Sequence, residues 1–160
     1  MERLHFRPEA ELQPLVERAV AEHGARVREL VPRAEVEHVG ATSVPGAWTK
    51  GDVDLAVRVA EADFSAAVAA LDGAYERAQP QNWTATFASF AGSSIDGLPV
   101  GVQLFAAGSE SEAVFLPLRD RLRSDPTLLE EYNRLKREHE GLDRETYWQA
   151  KDRFLARLLG

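Results

Sequence analysis

Residues 38–55 read HVGATSVPGAWTKGDVDL. A glycine at 40 opens a loop of small, hydroxyl-bearing and turn-forming residues. The loop runs into DVDLAVRV, residues 52–59, which alternates strictly. Asp52, Asp54, Ala56 and Arg58 face one way, and Val53, Leu55, Val57 and Val59 face the other, the period of a strand with one apolar face. The two aspartates are therefore expected side by side, where they repel unless something cationic lies between them.

Working outward, a long helix is expected over residues 8–31. Pro8 suits a first helical position, and Leu12, Leu15, Val16, Ala19, Val20, His23, Val27 and Leu30 form a stripe at helical spacing. Residues 34–39 read as a short strand, and an Ala-rich helix is expected over about 61–71, stopped near Gly73. Two further strands are expected at 84–91 and 99–106, joined by the turn-rich GSSIDG. The last third reads as three helices, 110–124, 126–140 and 144–159. A helix, a strand-rich middle (34–106) and a helical C-terminal third (110–159) predict an α+β fold: a small mixed sheet with flanking helices, in a single domain over 1–160.

Composition narrows the functions. The chain has 160 residues, 44% hydrophobic, and no cysteine, so disulfides and thiolate metal sites are excluded. The net charge is −7, and nearly all of the excess acid precedes Arg119. General binding to a nucleic-acid backbone is not expected of such a chain. No apolar run approaches the length of a membrane span, and MERLHFRPEAEL carries charges where a signal peptide needs an apolar core. The expected location is cytoplasmic.

The chemistry of the opening stretch is that of hard oxygen ligands. Asp52 and Asp54 suit Mg²⁺ or Mn²⁺ better than zinc. Gly40 and Gly46 allow close backbone approach, and Thr42 and Ser43 offer hydroxyls to phosphate oxygens, or caps to a helix. His38 is expected to be a structural hydrogen-bonder, and Trp48 and Trp83 to pack in the core. His5, His23 and His139 lack zinc spacing, and Ser43 has no His/Asp partners that would make it a nucleophile.

This pattern resembles the nucleotidyltransferase superfamily of the polymerase β-like fold, in which a Gly-rich turn precedes an Asp-x-Asp pair on the next strand. More closely, His38, Gly40, Thr42, Ser43, Val44, Pro45, Gly46, Lys50 and Asp54 resemble the signature of the GrpB-type family. The tail continues the likeness with Leu118–Arg123, Pro126, Tyr132–Lys136, and Tyr147, Lys151 and Phe154. The resemblance implies a nucleotidyltransferase-like fold and a divalent metal, Mg²⁺ or Mn²⁺, on Asp52 and Asp54. It also implies a nucleoside triphosphate ligand and a nucleotidyl group passed to an unknown acceptor. Two positions depart from the pattern. Ala41 replaces a serine, and the strand Val100–Phe105 offers Gln103 where the superfamily carries a third carboxylate.

The helical tail adds cations. Arg119, Lys136 and Lys151 each lie on or beside an apolar stripe of a different helix. A cation so placed must find an anion, snorkel or line a cavity. Together with Lys50 they are candidate phosphate-binding groups, with Asp120 and Glu131 as alternative structural partners. Three functional classes stay open: a metal-dependent nucleotidyltransferase, a non-catalytic nucleotide- or anion-binding module on the same fold, or a structural protein without a ligand, which a loop packed shut would favour.

Overall fold

The computed structural model describes residues 3–159. Its strands are β1 (Arg7–Pro8), β2 (Glu35–Val39), β3 (Trp48–Thr49), β4 (Val53–Val59), β5 (Glu76–Arg77), β6 (Phe87–Ser93) and β7 (Pro99–Ala106). Its helices are α1 (Gln13–Leu30), α2 (Phe64–Asp72), α3 (Glu112–Ser124), α4 (Pro126–Glu138) and α5 (Arg144–Leu159). Five strands form one mixed sheet in the order β2-β4-β7-β6-β5, while β1 and β3 pair separately. The central pair β4/β7 is parallel, and the other pairings are antiparallel. The architecture is the α+β arrangement expected.

One face of the sheet is apolar over its central strands. Val53, Val57 and Val59 of β4, Val100, Val102 and Leu104 of β7, and Ala88 and Phe90 of β6 pack against Val16, Ala19 and Val27 of α1 and Phe64, Ala67 and Leu71 of α2. The opposite face carries Asp54 beside Gly101, Ala56 beside Gln103 and Arg58 beside Phe105. Only one end of that face is apolar, where Val39, Ala56 and Phe105 meet Phe87, Phe115 and Leu116. The remainder is roofed at a distance by α4 and α5. Leu122, Leu128, Tyr132 and Phe154 form a second core with Val44 and Ala47 of the loop. The helical tail thus packs on the loop as well as on the sheet, which leaves a hollow between tail and strands.

Several boundaries differ from expectation for local reasons. Residues 9–12 form a 3-10 turn before α1 begins at Gln13. Strand β6 starts at Phe87, because the Thr84 hydroxyl accepts from the Thr86 amide and bends the chain there. Strand β4 starts at Val53, after the positive φ of 104° at Gly51. Asp52 therefore lies one residue before the strand, although it was expected within it. Among the described residues no helix is long and apolar enough to cross a membrane.

Candidate functional site

A cleft of about 540 Å³ lies between the polar end of the sheet and the helical tail. Asp52, Asp54 and Gln103 line its sheet side, while Lys50, Lys136 and Lys151 line it from the loop, α4 and α5.

Asp54 is half-buried and closely fenced. A Cβ on Gly40 would lie 2.7 Å from its Oδ2, and a Cβ on Gly101 would lie 2.5 Å from its Oδ1. Gly40 also has φ of +79°, which side chains larger than glycine's resist. Glycine at both positions is what admits the carboxylate. Gln103 donates to Asp54, and its own Oε1 accepts from the Ser89 hydroxyl at 2.9 Å. Burial, followed by repulsion from Asp52, raises the Asp54 pKa to about 6 against the pull of Lys151 and Lys50. Asp52 has Lys50 Nζ 3.5 Å from its Oδ2.

The loop is held from behind. Thr42 donates its hydroxyl to the Asp52 carbonyl at 3.1 Å, so its oxygen accepts from His38 Nε2 at 2.9 Å. Burial, then Arg123 and Arg119, lower the His38 pKa to about 4, which keeps the imidazole neutral and its Nε2 proton available for this bond. Ser43 donates to the Gly40 carbonyl at 2.6 Å. Both hydroxyls, expected as phosphate donors, are thus engaged within the loop. They line a second hollow on its far side, with Glu9 and Gln13.

Three clamps were not anticipated. The Glu9 carboxylate accepts from the Gly46 amide at 2.9 Å. Arg123 donates to the Ser43 carbonyl at 3.0 Å. Asn133 accepts from the Trp48 amide at 2.9 Å and donates to the Gly46 carbonyl at 3.0 Å. A signal existed for the last of these, because Asn133 and Lys136 fall four and seven residues after Leu129, inside the apolar stripe of α4.

The expected cations differ in their situations. Arg119 reaches the cleft, but its guanidinium bonds Glu37 at 3.1 Å, Asp120 at 2.9 Å and the His38 carbonyl at 3.1 Å. Lys151 lies 4.4 Å from the Trp148 ring centre and Lys50 lies 5.4 Å from it. Lys136 is only 4% exposed and donates to the Trp48 carbonyl at 2.5 Å. A feature of the sequence that passed unread concerns these three. Lys50, Lys136 and Lys151 are the only lysines in the chain, and apart from four histidines every other basic side chain is arginine.

Asp52 and Asp54 are the metal donors the cleft offers. Among the described residues no group of three or more His, Cys, Asp or Glu could hold a metal ion. Two carboxylates alone suit Mg²⁺ or Mn²⁺ that completes its shell with water and phosphate oxygens, and they do not suit a self-contained protein cage. The donor set fits on those terms.

The sequence profile of the GrpB protein family matches residues 10–160. The chain belongs to the GrpB family. A UPF0157 protein of Vibrio cholerae serotype O1 is 34% identical over 159 residues, covering 98% of this chain and 82% of the relative. The crystal structure of the conserved GrpB protein from Enterococcus faecalis overlays with a TM-score of 0.63 at 18% identity, over 91% of this chain and 94% of that one. This second likeness is one of fold. A weaker overlay, with a TM-score of 0.45 at 14% identity over 76% of this chain and 39% of the other, is with an MgGTP-bound structure of the Cid1 poly(U) polymerase. In this GrpB-family chain the residues of the signature fall into two sets. Asp54, Lys50 and Gly40 line the cleft, whereas His38, Thr42 and Ser43 brace the loop from behind.

Proposed function

We propose that the cleft binds a nucleoside triphosphate together with Mg²⁺ or Mn²⁺, and that it passes a nucleotidyl group to the hydroxyl of an acceptor. The observation that carries this reading is the meeting, in one hollow, of two carboxylates with the ammonium groups of Lys50 and Lys151. A carboxylate pair calls for a metal and an ammonium cluster calls for an anion. A metal-bound triphosphate satisfies both at once. Held on Asp52 and Asp54, the metal supplies charge neutralisation and Lewis-acid polarisation at the phosphates. Lys50 from the loop and Lys151 from α5 hold the phosphate oxygens, where they stabilise negative charge on the departing pyrophosphate. Gln103 fixes the orientation of Asp54, and Ser89 fixes Gln103.

A second reading, a binding module without transfer, is favoured by Gln103 itself. An amide donating to Asp54 cannot take a proton from an acceptor hydroxyl.

Calorimetry tests the first reading. Triphosphate binding should require Mg²⁺ or Mn²⁺, and Asp54→Asn should abolish metal-dependent binding while circular dichroism shows an intact fold. Equal triphosphate affinity in EDTA, or unchanged metal affinity in the variant, would refute it.

A further inference from the structure

The three lysines of this chain share one cleft with Arg119 and Arg144. An arginine stays charged at any pH a folded protein meets, whereas a lysine can give up its proton when its surroundings disfavour the charge. Lys50, Lys136 and Lys151 all line the one cleft.

Lys136 stands apart within this group. Of the three, only Lys50 has a carboxylate within ion-pair distance among the described residues, Asp52 at 3.5 Å. Lys136 Nζ instead lies 4.1 Å from the centre of the Tyr132 ring and donates to the Trp48 carbonyl. The charged and titratable groups that share the cleft with it are Tyr132 on its own helix, Arg144, Tyr147 and Lys151 on α5, Lys50 on the loop, Asp52 before β4, Asp54 on β4 and Arg119 on α3. Lys151 and Lys50 act on it against Asp52 in a desolvated site, and both burial and these like charges favour the neutral amine. The Lys136 pKa accordingly falls well below the ordinary lysine range, through burial first, then Lys151 and Lys50, against Asp52. The bond to Trp48 uses one N–H and leaves the nitrogen lone pair for other use.

We propose that Lys136 is the general base of the cleft, an amine that takes the proton of the acceptor hydroxyl. This rests on the function proposed above and places there the base that Gln103 cannot be. The acceptor O–H bond breaks and its proton passes to the Nζ lone pair. The acceptor oxygen forms a bond to the α-phosphorus. The bond from that phosphorus to the bridging oxygen breaks, and pyrophosphate leaves with the electron pair. Lys136, now an ammonium, gains its charge as negative charge collects on the leaving group. Desolvation beside other cations is a general means of preparing a lysine for such chemistry.

Three lysines give three side-chain signals, so lysine-labelled protein can be titrated directly by NMR without nucleotide. Lys50→Met and Lys151→Met assign the third signal by elimination, and the assignment does not depend on a position-136 variant folding. The Lys136 signal should titrate at a pH well below that of N-acetyl-lysine in the same tube. Lys136→Met and Lys136→Arg should keep triphosphate affinity within about threefold and lose transfer by about 10²-fold or more, the usual range for a general base. A Lys136 midpoint matching N-acetyl-lysine overturns the proposal. So does a Lys136→Met variant that loses triphosphate affinity as far as Lys151→Met does, because Lys136 would then be a phosphate-holding cation. Wild-type protein that binds no triphosphate overturns the function proposed above and the base role with it. The nucleotide-free titration tells that failure apart from a failure of Lys136 alone.

Discussion

Gly40 and Gly101 approach the Asp54 carboxylate so closely that neither could carry a methyl group without displacing it. That fence has an energetic consequence. The Asp54 pKa is 3.8 in the open chain and about 6 in the fold, so the folded protein holds this proton more tightly than the unfolded one does. Ionisation of Asp54 therefore works against folding, and its contribution to stability falls as pH rises from about 4 to 6 and is flat above. His38 acts in the opposite sense. Its pKa drops from 6.5 to about 4, so the stability of its neutral form is complete above pH 6.5 and is lost as pH falls through 4. The two slopes oppose each other in the wild type. Asp54→Asn should gain stability over the wild type as pH rises from 4 to 7, approaching about 2–3 kcal/mol from a shift of about two units in metal-free buffer. On its own the variant should show the rising limb of His38. Urea unfolding across this pH range measures both, and a stability gap independent of pH would contradict the assignment.

At the scale of elements, the loop between β2 and β4 is positioned by helices 80 or more residues further along the chain. Asn133 is the joint, since its amide serves the Trp48 N–H and the Gly46 carbonyl together. Asn133→Ala would leave both without a side-chain partner, at a cost of about 1–3 kcal/mol. It should also weaken triphosphate binding, because Lys50 follows directly on the tethered stretch. Chemical denaturation and calorimetry on one preparation check the pair of effects, and a loop that stayed in place would leave affinity untouched. How far this was legible depended on the range of each interaction. The alternation of DVDLAVRV gave β4 and its apolar face, and β7 was readable over 99–106 from its own pattern. The two-residue strands β1, β3 and β5 carry no period to read, and they exist only because a partner lies beside them. Thr42 and Ser43 were readable as hydroxyls beside a glycine. Whether they faced a ligand or the loop depended on His38 and the Asp52 carbonyl across a turn, which spacing does not encode. The raised acidity threshold of Asp54 depends on Gly101, 47 positions later, and no local pattern announces that meeting.

Across the whole molecule, the lysines are gathered in one place while the arginines are spread. The surface is acidic and salted with arginine, and the lysines are held in one cleft roofed by Tyr132, Tyr147 and Trp148. Lys151 has no ion pair among the described residues and rests on the Trp148 ring at 4.4 Å. Lys151→Met should therefore weaken triphosphate binding about tenfold or more while changing stability by less than about 1 kcal/mol, because methionine suits the apolar stripe and leaves no carboxylate stranded. Melting temperature and affinity measured on the same sample decide it, and a large loss of stability at constant affinity would reveal a structural lysine. The parallel pairing of β4 with β7 bears on how the protein comes into being. Between these adjacent strands the chain makes α2 and the antiparallel pair β5 and β6, and pairings of such long sequence separation are slow to form. Gly101 and Gln103 arrive only with β7. A chain in which β7 has not docked would carry Asp54 in open water, with an ordinary carboxyl pKa and one fence missing. The proposed binding site is therefore complete only once the ends of the sheet's central pair, 47 positions apart at Asp54 and Gly101, have met.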